Sequence, residues 1–465
     1  MDSKSLTAQQ LLSDPRVTQA TELLTAALAE HSAKLSARGP NVELSEPYQK
    51  WLDSFAELRG NSLFFPYLGS GAGQGALVEL ADGSVKYDMI TGIGVHAMGH
   101  ANPELLQELI PAILSDTVMQ GNLQQNTESL LLSMQLVTLA NQHGASLDHC
   151  FLSSSGAMAN ENAFKIMFQH RTGSSRVLAF ENAFAGRTHL TGQVTDRPKN
   201  RVGQPLTVPV DYVPFFDANR PQESTHETLQ TVERYLKRHP NAHCGFIMEL
   251  VQGEGGYYSA PRDYFVALCH LLRELQIPVF FDEIQTFGRT YAPFAFQMLE
   301  LDEFADVVTV GKMSQVCATL FRKELNPKPG LLSQTFTSST TAIVAARWIL
   351  RKLVEGSFYG PRGRIAEIYD RFVARFEAIH AKAPDRIRGP WGIGGMIAFT
   401  PLDGSPEAAK KVLHALYEAG VIAFVAGVDP ARVRFLPPFI SLSDEEITKV
   451  CDLVESVLLS DVFDQ

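Results

Sequence analysis

The chain has 465 residues, with 40 Lys and Arg against 51 Asp and Glu, and the formal net charge of −11 argues against nucleic acid as its main partner. A hydrophobic content of 45% and a charged content of 20% are those of an ordinary globular protein, long enough for two or three domains. The five cysteines (Cys150, Cys244, Cys269, Cys317 and Cys451) form no C-x-x-C pair, which sets aside a disulfide framework or a zinc site in favour of reduced thiols.

The opening "MDSKSLTAQQLLSDPRV" is polar and lacks the apolar core of a secretory signal. No apolar run reaches the roughly 18 residues of a membrane span, so a cytoplasmic protein is expected. "QATELLTAALAEHSAKL" carries apolar residues at helical spacing, and "ALVELADGSVKYDMIT" reads as two strands about a turn at Asp82-Gly83. Between about residues 100 and 320 strands alternate with helices. The clearest strands are "CFLSSS", "RVLAFE", "CGFIMELV", "IPVFFDE" and "ADVVTVG". The clearest helices are "ANENAFKIMFQHR", "ETLQTVERYLKRH" and "RDYFVALCHLLRELQ". That alternation predicts a mostly parallel sheet covered by helices. Beyond residue 340 the chain turns helical again, through "AIVAARWILRKLVEG" and "RIAEIYDRFVARFEAIH", before the shorter strands "GMIAFTP" and "RVRFLPPFI". The expected organisation is α/β, with a large domain over residues 91–335. A small α+β domain is drawn from both chain ends, residues 1–90 and 336–465.

Ligands of open α/β sheets bind beyond the carboxyl ends of the strands, and three segments deliver polar groups there. "FLSSSGAMANENAFK" places Ser155, Gly156 and Ala157 between a strand and a helix, where free N–H groups and the helix dipole suit a phosphate. "VFFDEIQTFGRT" buries Asp282 at the end of an apolar run, where a carboxylate needs a partner. "VVTVGKMSQ" sends Lys312 out of another apolar strand, and a partly desolvated lysine can form a Schiff base. Each alone has a bland reading: a helix cap, a loop hydrogen bond, a surface charge. A phosphate cradle, a carboxylate and a lysine together are the set that pyridoxal 5'-phosphate needs, and its pyridine nitrogen would be the partner of Asp282.

From "YDMITGIGVHAMGHANP" to "VRFLPPFISLSDEEI" the sequence also resembles the class III pyridoxal-phosphate aminotransferases of fold type I, which include the ornithine, acetylornithine, 4-aminobutyrate and lysine 6-aminotransferases. "DEIQTFGRT" is similar to the family's DE-[VI]-Q-T-G-x-G-R-T, and Lys312 follows Asp282 at close to the family's separation. The resemblance implies Lys312 as the Schiff-base lysine and Asp282 as the partner of the ring nitrogen. Gln285 would bond the cofactor's phenolic oxygen. Ser155, Gly156 and Ala157 would hold its phosphate, and Phe184 in "NAFAGRT" would stack on its ring. Thr335 in "SQTFTSS" would reach the phosphate of a neighbouring subunit, implying a homodimer with a shared active site. "MELVQGEGG" is similar to E-P-[VI]-Q-G-E-G-G, which makes Glu254 the gate of an arginine. That arginine would be Arg434, the clamp for a substrate α-carboxylate, while Arg187 would hold the distal carboxylate of a dicarboxylate. Two planar guanidinium groups suit such a substrate.

The implied activity moves a terminal (omega) amino group from a diamino or amino acid to 2-oxoglutarate, leaving an aldehyde and glutamate. Ornithine aminotransferases have a tyrosine where this chain has Ile93, and "ENAFK" and "GKMSQVC" are similar to strings of lysine 6-aminotransferases. The chain departs from the family at Met158, Ala185, Leu250 and Thr337-Ser338-Ser339-Thr340, none of which is a group implied to touch the cofactor. Other fold type I reactions (decarboxylation, racemisation, an aminomutase) reuse the same cofactor groups. A non-enzymatic descendant is a rival from another class, and a nucleotide site lacks its G-x-x-x-x-G-K-[ST] string.

Overall fold

Apolar runs bounded by turn residues in the middle of the chain become the strands of one sheet in the computed structural model, which describes residues 6–116, 118–119 and 121–463. The chain divides into two compact units. One comprises Met1–Ser115, Arg364–Trp391 and Gly395–Gln465; the other comprises Asp116–Gly363 and Gly392–Gly394.

In the first unit the helices Pro15–Ser32 and Val42–Arg59 open on Asp14 and Asn41, whose side chains accept from Arg16 N and Glu43 N. A sheet follows in the order Gly69–Gln74, Leu77–Leu80, Val85–Asp88 and Val421–Ile422, with the last strand parallel to its neighbour. The expected turn at Asp82-Gly83 joins its second and third strands. A further antiparallel sheet sets Arg432–Phe435 between Met396–Pro401 and Phe424–Ala426. The helices Arg364–Lys382, Pro406–Ala419 and Asp444–Leu458 pack together by apolar faces such as Ile368, Phe372 and Phe376.

The second unit is built on seven strands: β1 (His149–Ser153), β2 (Arg176–Phe180), β3 (Val210–Val213), β4 (His243–Met248), β5 (Val279–Asp282), β6 (Val307–Val310) and β7 (Cys317–Phe321). Their order across the sheet is β1-β7-β6-β5-β4-β2-β3. β7 runs against both its neighbours and the other strands are parallel, so the sheet is mostly parallel. Helices α1 (Gly156–His170), α2 (Pro221–Arg238) and α3 (Arg262–Glu274) form the crossovers. Helix α1 buries Ala159, Ala163, Phe164, Ile166 and Met167, a stripe at three- and four-residue spacing. All four residues of β5 and of β6 are buried, which is why these strands read as continuous apolar runs rather than alternating ones.

The amino-terminal ends of β2, β3 and β4 are tied by one cluster, in which Asp211 and His243 are buried and Arg176 is half-buried. Arg176 donates to both oxygens of Asp211, at 2.7 Å and 2.5 Å, and His243 Nε2 lies 2.7 Å from Asp211 Oδ2.

Candidate active site

The carboxyl-terminal ends of β1, β2, β4, β5 and β6 release their chains around one cavity of about 290 Å³. Gly156, Ala157, Phe184, Arg187, Glu249, Asp282, Gln285 and Lys312 all line it. Six of these were singled out from the sequence as cofactor groups, and Arg187 as a substrate group.

Asp282 is the last residue of β5 and is 5% exposed. Its Oδ1 accepts from Ile284 N at 3.0 Å and its Oδ2 from Asn160 Nδ2 at 2.8 Å. Burial still pushes its carboxyl above the ordinary range, against those two bonds and the nearby Lys312 charge. Glu249, one residue past β4, is held by Phe184 N at 2.9 Å on Oε1 and Gly253 N at 3.0 Å on Oε2. Burial, and then the charge of Asp282, push its carboxyl up as well. The adjacent Glu283 faces elsewhere: it is fully buried and accepts from Thr286 Oγ1, Ala295 N and Phe296 N. It closes the turn after β5 and does not line the cavity.

Lys312 lies in the tight turn between β6 and β7, with φ at +50°. An L-residue seldom occupies that left-handed region, and it persists only where the surroundings over-determine it. Ser155 is exposed and caps α1, its Oγ accepting from Met158 N at 3.3 Å. The first-turn amides of Gly156 and Ala157 have no acceptor within the helix and are on the cavity wall. Over that turn lies the segment Phe184–Arg187. Gly186 has φ +133°, and a Cβ there would come within 2.7 Å of the Ala157 Cβ. Gln285 packs on Gly253, where a Cβ would stand 2.6 Å from its amide.

The remaining sequence-derived site residues are not among those lining the cavity. Thr335 is exposed in the loop before the strand Ser338–Ser339. Glu254 is half-buried in the second unit, its carbonyl accepting from Arg197 at 3.3 Å. Arg434 and Ile93 belong to the first unit. Arg434 is fully buried on the strand Arg432–Phe435, its guanidinium 5.8 Å from the Phe424 ring centroid. Ile93 has φ +61° in the turn Thr91–Gly94.

Residues 63–458 match the Aminotransferase class-III family. The chain is a class III aminotransferase. It is 27% identical over 395 residues to the mitochondrial acetylornithine aminotransferase of Saccharomyces cerevisiae, covering 82% of this chain and 89% of that protein. It is 29% identical over 408 residues to the diaminobutyrate–2-oxoglutarate aminotransferase of Rhizobium meliloti, covering 81% and 84%. Its fold is that of lysine aminotransferase from M. tuberculosis, with a TM-score of 0.76 at 24% identity over 87% of this chain and 98% of that one.

Class III aminotransferases depend on pyridoxal phosphate, and the donor set here fits that group. The cavity offers one amine, two carboxyls that burial raises despite the nearby Lys312 charge, an aromatic face and the open amides of a helix start. An Asp whose carboxyl is raised by burial is stabilised by any cation brought to it, and a protonated ring nitrogen is one. Among the described residues no helix of this aminotransferase is long and apolar enough to cross a membrane, and no cluster of His, Cys, Asp or Glu is arranged to hold a metal.

Two site residues escaped the sequence reading. Glu249 had the same signal as Asp282, an acid closing an apolar run in "CGFIMELV". Asn160 had none, since it lies mid-helix among small residues and its role depends on partners far along the chain.

Proposed function

We propose that this aminotransferase takes a terminal amino group from a diamino or amino acid and passes it to 2-oxoglutarate, giving an aldehyde and glutamate. The observation that carries the acceptor is Arg187. It is exposed on the cavity wall, and its partners among the described residues are the Asn200 side-chain amide, whose oxygen lies 3.3 Å from both Nη1 and Nη2 when the amide is turned to satisfy the guanidinium, and the Phe184 ring. Neither is a carboxylate, so the guanidinium is available to a dicarboxylate in the bidentate manner. The similarity to relatives named for acetylornithine and for diaminobutyrate with 2-oxoglutarate supports a terminal-amine donor and this acceptor.

Pyridoxal phosphate, when bound, supplies the aldehyde that takes the amine and the electron sink for the carbon that loses a proton. Lys312 Nζ would anchor it covalently and, once displaced by the donor amine, would take the proton from the donor carbon and return it to the cofactor carbon. Asp282 would keep the ring nitrogen protonated. Gln285 would bond the phenolic oxygen, Phe184 would cover the ring, and Ser155, Gly156 and Ala157 would hold the phosphate. Resemblance supports Arg434 as the clamp for the donor's α-carboxylate, with Glu254 as its gate and Ile93 beside the donor. It also supports a homodimer in which Thr335, exposed on its own chain, completes the neighbour's phosphate site.

The test is optical. Purified protein loaded with pyridoxal phosphate is given lysine, 4-aminobutyrate, ornithine and acetylornithine separately, and the visible band is followed. Bleaching by one donor and return of the band with 2-oxoglutarate, with glutamate formed in equal amount, is the expected result. A band that no terminal amine bleaches would overturn the donor class.

A further inference from the structure

The side chain of Asn160 ties two walls of this site together, the end of β5 and the Phe184 segment. It is 1% exposed, in the second turn of α1, and its amide is fully committed. One Nδ2 hydrogen goes to Asp282 Oδ2 at 2.8 Å, and the other to the carbonyl of Ala185 at 2.9 Å. Its Oδ1 accepts from the Thr309 hydroxyl at 2.8 Å. Thr309 is the β6 residue directly beside Asp282 in the sheet register and is fully buried. Turning the amide over would set its oxygen against two acceptors, so these neighbours fix its orientation. The Ala185 end matters as much as the Asp282 end. The neighbouring Phe184 N–H is tied to Glu249, so the aromatic segment is fastened at two successive residues, directly to Glu249 and through Asn160 to Asp282.

We propose that Asn160 is the positioning residue of this site: with Thr309 behind it, it aims the Asp282 carboxylate into the cavity and locks the Phe184 segment at the matching height, so that ring nitrogen and ring face are held as one unit. The proposal rests on the reading of the cavity as a pyridoxal-phosphate site. A hydrogen bond to a buried carboxylate is worth more than a neutral one, and its loss leaves the acceptor desolvated and badly aimed.

Wild type and variants are stripped of cofactor, checked for folding by circular dichroism and melting, and titrated with pyridoxal phosphate by protein fluorescence from pH 5.5 to 8.5. Asn160→Leu is expected to bind about 10- to 100-fold more weakly. The pH below which binding falls off should move upward, because Asp282 loses a donor that favours its charged form. The other titratable groups near enough to act on Asp282 (Lys312, Glu249, Glu283 and Cys317) are unchanged in that variant, so a shifted acid limb reports on Asp282. Thr309→Val should lose about 3- to 10-fold, Thr309→Ser should restore binding to within about twofold, and Asn160→Leu with Thr309→Val should be no worse than Asn160→Leu alone.

Equal affinity and an unmoved acid limb in a folded Asn160→Leu protein would overturn the role of Asn160. So would an additive double variant. If Asn160→Leu does not fold, the Thr309 pair decides: loss with Val and rescue with Ser supports the proposal, and no loss with Val overturns it. Failure of the wild-type chain itself to take up pyridoxal phosphate would overturn the reading of the cavity.

Discussion

The two ends of the central sheet each bury an aspartate, and they solve the same electrostatic problem in opposite ways. At the amino-terminal end Asp211 meets the guanidinium of Arg176 and the ring of His243. Burial alone would raise its carboxyl, but those two partners outweigh it and hold the group below the ordinary range. At the carboxyl-terminal end Asp282 accepts, among the described residues, from an amide and a backbone N–H, with the Lys312 charge nearby, and burial still wins. A buried carboxylate supplied with a cation by its own chain is a structural tie. One left short of a cation is an invitation to a ligand that brings one.

The largest effect that bears on this contrast is expected from Lys312→Ala. Transamination should fall by about 10³-fold or more, with the visible band of the loaded protein lost. Next comes the direct comparison. Asp211→Asn should destabilise the apoprotein by roughly 2 kcal/mol, because the half-buried Arg176 loses its counter-charge and the buried His243 its carboxylate partner. Asp282→Asn should leave the apoprotein's melting temperature unchanged or higher, while cutting kcat by about 10²-fold. If the two substitutions cost equal stability, the contrast between the two ends of the sheet is wrong.

Glu283 sharpens the same idea through pH. Burial raises its carboxyl from 4.5 to about 7, against the Thr286, Phe296 and Ala295 bonds. Between those values the folded state keeps a proton that the unfolded state has released, so stability falls as pH rises through this window and levels off above about 7. Glu283→Gln should remove that part of the slope, at most about 3 kcal/mol between pH 4.5 and 7.5, in denaturant melts of the apoprotein. The smallest effect is expected at the rim. Arg187→Gln should raise KM for 2-oxoglutarate by about 10-fold with little change in KM for the donor or in melting temperature.

Much of this was legible in the sequence because strands buried on both faces leave unbroken apolar runs, and the polar residue that ends such a run stands out. Asp282 and Lys312 were found that way, and the family resemblance supplied Phe184, Gln285 and Arg187. Two strands of the central sheet were not expected. β3, in "VPVDYVPFF", is bracketed by Pro209 and Pro214, and its Asp211 breaks the apolar run by serving the Arg176 cluster. β7 follows Lys312 after a turn of only a few residues, and "MSQVCATLF" was not among the expected strands. Asn160 was out of reach for a different reason. Mid-helix asparagine is locally unremarkable, and its worth comes from a carboxylate, a carbonyl and a hydroxyl on three other segments.

The turn that bears Lys312 is unlike the others at this end of the sheet. β6 and β7 are antiparallel neighbours paired from Val310–Ala318 to Val307–Phe321, so the lysine sits in a closed hairpin rather than ahead of a crossover helix. An inserted residue there would move the amine or slip β7 by one position, exchanging its two buried faces. Connections such as the exposed turn at Leu275-Gln276 can absorb a change of length. In a collection of natural variants or a library made by random insertion, gaps should therefore accumulate between the other strands and be purged between Gly311 and Val316.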